Sequence, residues 1–274
     1  MTSTPKHSID RPAIASYDLL ERQLIAIRQV DLEAPWRWLA AGWADLLAMP
    51  HISLTYGVVF TALAAGFWVG LASVGWQSLM LALAGGFLLI GPVLAVGLYE
   101  ASRRRQLDVS VRLKNVLVAG FRAPGQLALL GLALLLIYVA WIRTAILMFM
   151  LFFSDGPFPP IEEFVPRLLF TWQGVTLLVS GTIVGAALAA LVFSISVVSA
   201  PMLMERERPV GVATGILTSV RAVRANLKPM ALWATLIAAF VAIGLATLCI
   251  GLIVIFPLIG HATWHAYRDL VGET

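Results

Sequence analysis

The chain has 274 residues, of which 60% are hydrophobic and only 12% are charged, and its formal net charge is +4. A soluble globular domain carries about 25% charged residues, so this composition excludes an ordinary water-facing surface. The single cysteine, Cys249, excludes an intrachain disulfide. The composition therefore indicates an integral membrane protein.

The amino-terminal region is polar. Residues 1–51 hold five basic and six acidic side chains, and the first long apolar run begins near Ile52. A cleavable signal peptide would place its apolar core earlier than this. We predict a retained cytoplasmic segment over residues 1–34, a single transmembrane domain over 35–268 and a cytoplasmic tail over 269–274.

Four apolar stretches are long enough to cross a bilayer, which takes about 20 helical residues. They run over about 52–99, 126–153, 171–199 and 230–267. The first is too long for one helix, and we predict that it divides into spans at 52–72 and 77–99. The last is also nearly twice one span. We predict a hairpin that turns near Leu248 to Gly251, with one long helix kinked at Pro257 as the alternative. The predicted fold class is an all-α transmembrane bundle of six spans, with five spans as the alternative.

The charges between the spans indicate their orientation. Residues 100–125 and 200–230 are rich in arginine and lysine, whereas residues 154–170 hold three acidic side chains and one basic one. Short loops rich in arginine and lysine stay in the cytoplasm. We therefore predict that both basic loops and both termini are cytoplasmic, and that the acidic loop lies on the opposite side.

An internal repeat occurs at an offset of 105 residues (100 to 205). The recurring markers are Glu100, Arg103 and Pro124 in one copy and Glu205, Arg208 and Pro229 in the other. An amphipathic helix fits between the markers of each copy, and a third such helix precedes the first span. We predict a threefold repeat of amphipathic helix, span and span. Its units are about 35–105, 106–205 and 206–268.

The predicted amphipathic helices have the composition of helices that lie in the membrane interface. The first places Trp36, Leu39, Trp43, Leu46 and Leu47 on one face, and the third places Thr214, Thr218, Arg221, Ala225 and Lys228 along its polar face. Basic segments beside a membrane attract anionic lipid headgroups. We expect such lipids as partners, with another membrane protein complex as a further candidate and no nucleic acid.

Few charged residues are candidates for function. Arg143 is the only charged residue well inside a predicted span, where a charge costs about 2.5 kcal/mol or more. It lies about 26 Å along a helix from Gln126, so an anchor that reaches the outer headgroups fits equally well. The Glu-x-x-Arg pairs, Glu100 with Arg103 and Glu205 with Arg208, are predicted to be structural pairs one turn apart.

His261 and His265 are candidates for a cofactor-binding site. Their spacing of four residues places both on one helix face, and two such imidazoles can bind a metal. His51 could join them only through the fold. Because the sequence nearby offers no acidic third ligand, we predict no catalytic residue, no metal site and no cofactor. Haem or a metal at these three histidines is the alternative.

Three segments carry a family resemblance. They are residues 38–57, 91–103 (GPVLAVGLYEASR) and 257–268 (PLIGHATWHAYR), and the first begins with WLAAGWADL. They resemble a prokaryotic family of integral membrane proteins classed as a domain of unknown function, some members of which are labelled as cytochrome c oxidase subunits. The resemblance covers about residues 25 to 270. It implies a bacterial inner membrane and no established activity.

Three functions stay open at this point. The first is a non-enzymatic accessory, assembly or lipid-interacting protein, which the lack of a catalytic constellation favours. The second is a transporter or channel for a small solute, which the repeat and Arg143 would suit. The third is a haem- or metal-binding subunit associated with a respiratory oxidase.

Overall fold

The computed structural model describes residues 25–74, 89–121, 124–153, 161–205 and 211–271, and the regular structure within these ranges is helical. In chain order the helices are α1 (Ala34–Ala48), α2 (Pro50–Ser73), α3 (Val96–Gln106), α4 (Leu113–Leu117), α5 (Pro124–Phe152), α6 (Ile161–Phe170), α7 (Trp172–Ser196), α8 (Ser199–Met204), α9 (Val212–Ala225), α10 (Leu227–Ala246) and α11 (Leu252–Val271). A short 3-10 helix covers Ala119–Phe121, and residues 89–94 are also helical.

Four segments of the described chain are long and apolar enough to cross a membrane. They are α2, α5, the segment Trp172–Met204 that contains α7 and α8, and α10. These match the predicted spans at 52–72, 126–153 and 171–199 and the first arm of the predicted hairpin. The predicted span at 77–99 lies mostly outside the described residues. The all-helical membrane fold is therefore confirmed, whereas the count of six spans is not.

The last apolar stretch turns where predicted and forms two helices, although only α10 is long and apolar enough to cross a membrane. The chain turns over residues 247–251, where Leu248 and Cys249 have φ angles of 52° and 68°. This break excludes the alternative of one long helix kinked at Pro257, and Pro257 itself lies inside α11. α11 is not one of the four candidate spans, because its second half carries two histidines, Arg268 and Asp269.

α11 lies at the centre of the protein and packs on α1, α2 and α3. Glycines allow these close approaches, since a Cβ at Gly42 would lie 2.7 Å from the backbone nitrogen of Ala262. A Cβ at Gly57 would collide with the backbone oxygen of Ile253. Trp264 of α11 is 0% exposed, because the neighbouring helices cover this side chain completely.

The predicted repeat is not confirmed. α1 and α9 have 15 and 14 residues, but the helix that should correspond to them in the other copy, α4, has only five. The predicted polar face of α9 also differs, because Thr218 is fully buried and its hydroxyl donates to the Thr214 carbonyl oxygen. α9 instead packs its small residues inward, with Gly215 against Ser199 and Leu203 of α8.

Candidate functional site

A polar cluster lies where α1, α2, α3 and α11 meet, and we call it the Asp45 network. Its members are Asp45, Ser53, Ser102, Arg105, Gln106, His261, Trp264 and His265. Asp45 is 1% exposed, and Ser53, Ser102 and His261 are 0% exposed. A buried polar group without a hydrogen-bond partner costs free energy. These side chains must therefore lie within hydrogen-bond distance of one another.

Helical spacing places these side chains in the cluster. Trp38, Gly42 and Asp45 follow one another at intervals of four and three residues on the buried face of α1. Because Gly42 lets α1 approach α11 closely, the Asp45 carboxylate reaches the two histidines of α11. Ser102 and Arg105 are separated by three residues and project from the same side of α3.

The Asp45 carboxylate is the acceptor at the centre of the network. Ser102 Oγ donates to Asp45 Oδ2 at 2.5 Å, and His265 Nε2 donates to the same oxygen at 3.0 Å. Arg105 Nη1 donates to Oδ1. An ionised carboxylate can only accept hydrogen bonds, which sets the direction of all three.

These directions determine the rest of the network. The hydroxyl hydrogen of Ser102 points to Asp45, so Ser102 Oγ is the acceptor in its bond with His261 Nδ1, which donates at 2.8 Å. His261 Nε2 then accepts from Ser53 Oγ at 2.9 Å. We assign this tautomer from the hydrogen-bond pattern. The fragment Ser53–His261–Ser102–Asp45 is therefore a chain in which every donor points towards one carboxylate.

A second arm reaches the same carboxylate through His265. Its Nδ1 accepts from Gln106 Nε2 at 3.3 Å, and Gln106 Oε1 accepts from Trp264 Nε1 at 2.9 Å. The donors of this arm therefore also point towards Asp45, from Trp264 through Gln106 and His265. Both arms together join the first, second, third and last helices of the described chain.

The environment shifts the pKa values of two members of the network. Burial raises the pKa of Asp45, but the hydrogen bonds from His265 and Ser102 outweigh burial and hold the pKa below its usual value. Burial lowers the pKa of His261 to about 4, against the attraction of the Asp45 charge. His261 is therefore neutral at pH 7, as its hydrogen-bond pattern requires.

We expect acid to destabilise the protein through His261. Its pKa is about 4 when folded and about 6.5 when unfolded, so below pH 6.5 the unfolded chain binds the extra proton more readily. The stability that His261 contributes is complete above pH 6.5 and falls as the pH drops towards 4, by about 2 kcal/mol at pH 5. Thermal unfolding in detergent at pH 7.5 and pH 5 measures this loss.

The matched variants for this experiment are His261→Asn and His51→Asn. The first keeps a donor towards Ser102 but cannot titrate, so the difference between the two pH values should shrink. His51 is exposed, so its replacement should leave the difference unchanged. The charged and titratable groups facing His261 are Asp45, His265 and Arg105. An unchanged pH dependence in His261→Asn would contradict the assignment.

Further contacts tie the end of α11 to the rest of the protein. Glu205 accepts hydrogen bonds from the Tyr267 hydroxyl and, at 2.7 Å, from Arg268 Nη1. Asp269 Oδ2 accepts from Trp38 Nε1 at 3.0 Å. The backbone nitrogen of Arg28 donates to the carbonyl oxygen of Leu270 at 2.8 Å. The carboxyl-terminal half of α11 is thus held at both the Asp45 network and the helix end.

Residues 79–205 match the family of predicted integral membrane proteins called DUF2189. No curated protein and no solved structure matches the chain. The resemblance predicted from sequence is confirmed for this region, which is narrower than the expected residues 25 to 270. The DUF2189 match includes Ser102, Arg105 and Gln106, whereas Asp45 and His261 lie outside it.

The two acidic candidates are both ion-paired, but differently. Glu100, within the DUF2189 match, is 0% exposed and accepts from Arg103 Nε at 2.8 Å, as the predicted pairing requires, and from Arg104 Nε at 2.6 Å. Glu205 instead pairs across the protein with Arg268. Arg208, its predicted partner, lies outside the described residues. Both glutamates therefore have structural contacts, Glu100 within α3 and Glu205 just after α8.

The other predicted candidates lie apart from the Asp45 network. Arg143 is exposed on α5, which fits an anchor at the membrane surface. His51 is exposed at the start of α2, and Ser53, two residues later, is the group that meets His261. His261 and His265 share one helix face, as predicted. Their ring nitrogens, however, bind Ser53, Ser102, Asp45 and Gln106.

This arrangement does not favour metal binding. Among the described residues no group of three or more histidine, cysteine or acidic side chains is placed to hold a metal ion. The absence of a cofactor stays a prediction. The pairs Ser53–His261 and Ser102–His261 have the elements of an activated nucleophile, but both serines are fully buried. The geometry is that of a structural polar core.

Several members of the network were not predicted from the sequence: Asp45, Ser53, Ser102, Arg105 and Gln106. One signal for Asp45 was present, since this carboxylate follows Trp38 and Gly42 on the buried, otherwise apolar face of α1. A charge at such a position needs a buried partner. The serines carried no comparable signal, because a single serine in an apolar helix usually bonds to its own backbone.

Proposed function

We propose that the protein is a non-enzymatic accessory protein of the bacterial inner membrane that binds anionic lipid headgroups at its cytoplasmic face. The observation that carries this proposal is an exposed apolar stripe on α1. Trp36, Trp43 and Leu47 are 55%, 45% and 59% exposed, and α2 begins only two residues after α1 ends. A helix so close to a span lies at the bilayer surface, where tryptophan is favoured.

The Asp45 network supports this role by fixing the orientation of α1. Asp45 and Trp38 hold the buried face of the helix to His265 and Asp269 of α11. The opposite face, with its two tryptophans, is therefore presented to the lipid in one defined orientation. An anchor that is already ordered loses less conformational entropy when lipid binds.

Exposed basic residues supply the electrostatic part of the proposed site. They are Arg112, Lys114, Arg221, Arg224 and Lys228. Asn226 lies beside the last three of them and accepts a hydrogen bond from the backbone nitrogen of Val30 at 2.8 Å, which supports placing those three bases on the same side as α1. Each lysine or arginine near an anionic surface contributes about 1 kcal/mol to binding.

The proposed orientation places both termini in the cytoplasm. The Arg28–Leu270 and Trp38–Asp269 contacts support it, because they bring the start of α1 and the end of α11 together. We propose six membrane-inserted helices, of which the one predicted over 77–99 lies mostly outside the described residues. The threefold repeat within residues 35–268 is supported by prolines that begin spans, as Pro50, Pro124 and Pro229 lie in the first three residues of α2, α5 and α10.

Lipid retention tests the proposal. The detergent-purified protein is mixed with phosphatidylglycerol or phosphatidylcholine, and native mass spectrometry counts the lipids that stay bound. We expect preferential retention of phosphatidylglycerol. A triple variant in which Arg221, Arg224 and Lys228 are all replaced by glutamine should retain phosphatidylglycerol at least about tenfold more weakly. The reason is that each lost positive charge removes about 1 kcal/mol of binding free energy.

The matched control is Arg167→Gln, which removes an exposed base from α6 at the acidic connection between α5 and α7. This variant should keep its phosphatidylglycerol. Equal retention of both lipids by the unchanged protein would overturn the proposal. Co-purification of a stoichiometric membrane complex that excludes lipid from this face would favour a protein partner instead.

A further inference from the structure

The turn between α10 and α11 has an unusual surface. Leu248 and Ile250 are 85% and 67% exposed, and residues 247–251 contain no charged side chain. The connection between α5 and α7 is different, because its helix α6 carries Glu162 and Glu163 in its first turn. The exposed tip of the hairpin therefore has the composition of a lipid-facing surface.

Contacts with α2 give the depth of this tip. α2 and α11 are antiparallel: Ser53 bonds to His261, and further along α2 the ring of Phe60 stacks on Phe256 with the centroids 3.6 Å apart. Phe60 also packs in one cluster with Cys249 of the turn. Phe60 is ten residues after Pro50, so the tip lies about 15–20 Å from the start of α2.

This depth is about half the length of α2. With 24 residues, α2 is about 36 Å long and matches the bilayer, whose hydrocarbon core is about 30 Å thick. The tip of the hairpin therefore ends about 15–20 Å short of the far end of α2. A hairpin that crossed the membrane would bring its turn level with Ser73.

We infer that α10 and α11 form a re-entrant hairpin, which enters from the side of α1, ends among the lipid acyl chains and returns to the same side. The occupant of the surface around Leu248 and Ile250 is then the acyl-chain region of the bilayer. This inference rests on α2 crossing the membrane. It does not depend on headgroup binding at the basic residues.

Several polar groups of the turn are paired by internal hydrogen bonds, which suits a position in hydrocarbon. In hydrocarbon, each unsatisfied backbone group costs several kcal/mol. Thr247 Oγ1 donates to the Gly244 carbonyl oxygen and accepts from Gly251 N, both at 2.8 Å. Ile250 N donates to the Thr247 carbonyl oxygen at 3.1 Å, and Leu252 N donates to that of Cys249 at 3.0 Å.

Spin-label accessibility tests the depth directly. Cys249 is the only cysteine, so Cys249→Ser provides a background for a single nitroxide at Leu248→Cys in reconstituted vesicles. Oxygen concentrates in the hydrocarbon, and a water-soluble nickel chelate is excluded from it. We expect the ratio of oxygen to nickel accessibility at position 248 to be several-fold higher than at Glu162→Cys on α6.

Val59→Cys provides the depth reference, because Val59 is 52% exposed on α2 and precedes Phe60. Positions 248 and 59 should give similar ratios. A nickel accessibility at position 248 equal to that at position 162 would overturn the inference and indicate a crossing hairpin. Ile250→Cys replaces Leu248→Cys if the latter does not elute as a folded species, and the same two outcomes then apply.

Discussion

Replacing Asp45 with asparagine is expected to lower the free energy of unfolding by about 2–4 kcal/mol. The carboxylate is 1% exposed and accepts from Ser102, His265 and Arg105. In asparagine an NH2 group replaces one carboxylate oxygen, and this NH2 donor would face the donors that now bond to Asp45. Since the Arg105 side chain is 41% exposed, it can rotate to water, and this limits the loss. Thermal unfolding of the detergent-solubilised protein measures the change.

Asp31→Asn is the matched control for this variant. Asp31 also pairs with an arginine, Arg37, but the two side chains are 62% and 54% exposed. An exposed ion pair contributes at most about 1 kcal/mol. A loss in Asp45→Asn no larger than that in Asp31→Asn would mean that the network does not stabilise the fold.

Gly57→Ala is expected to separate α11 from α2. The added methyl group would collide with the Ile253 carbonyl oxygen, and this atom belongs to the backbone of α11, so it cannot rotate away. Overpacking of this kind costs about 1–3 kcal/mol, and we expect a value at the upper end. The displacement should also disturb the Ser53–His261 bond, which lies one turn away. Thermal stability and protease resistance of α11 are the measurements.

Gly66→Ala on the same helix is the control. Nothing lies within 4 Å of the methyl group that this change would add. Alanine is favoured over glycine inside a helix by about 0.5–1 kcal/mol, so the variant should be equally or slightly more stable. If the two variants had equal stability, close contact at Gly57 would not be what holds the helices together.

The parts of the fold that depend on length and hydrophobicity were predictable from sequence. Spans at α2, α5 and α7 follow from apolar runs of sufficient length, and the hairpin at residues 247–251 follows from a run too long for one span. The length of α4 was not predictable in this way. Apolar periodicity marks a candidate helix, but the tertiary packing decides how many of its turns form.

The Asp45 network could not be predicted, because its members are distant in sequence. Ser102 is 57 residues from Asp45 and 159 residues from His261. The spacing of His261 and His265 correctly places them on one helix face, but it carries no information about their partners. Serines and a carboxylate from other helices meet the rings only because Gly42 and Gly57 allow those helices to approach.

The participation of α11 in the Asp45 network has a consequence for how the protein is made. Synthesis begins at the amino terminus, so α1, α2 and α3 leave the ribosome well before His261 and His265 are synthesised. Until then, Asp45, Ser53 and Ser102 lack the imidazoles that complete their hydrogen bonds. A nascent chain that stops before α11 would leave these buried polar groups without those hydrogen bonds. The packing of α1, α2 and α3 at the Asp45 network therefore depends on a helix that is synthesised after them.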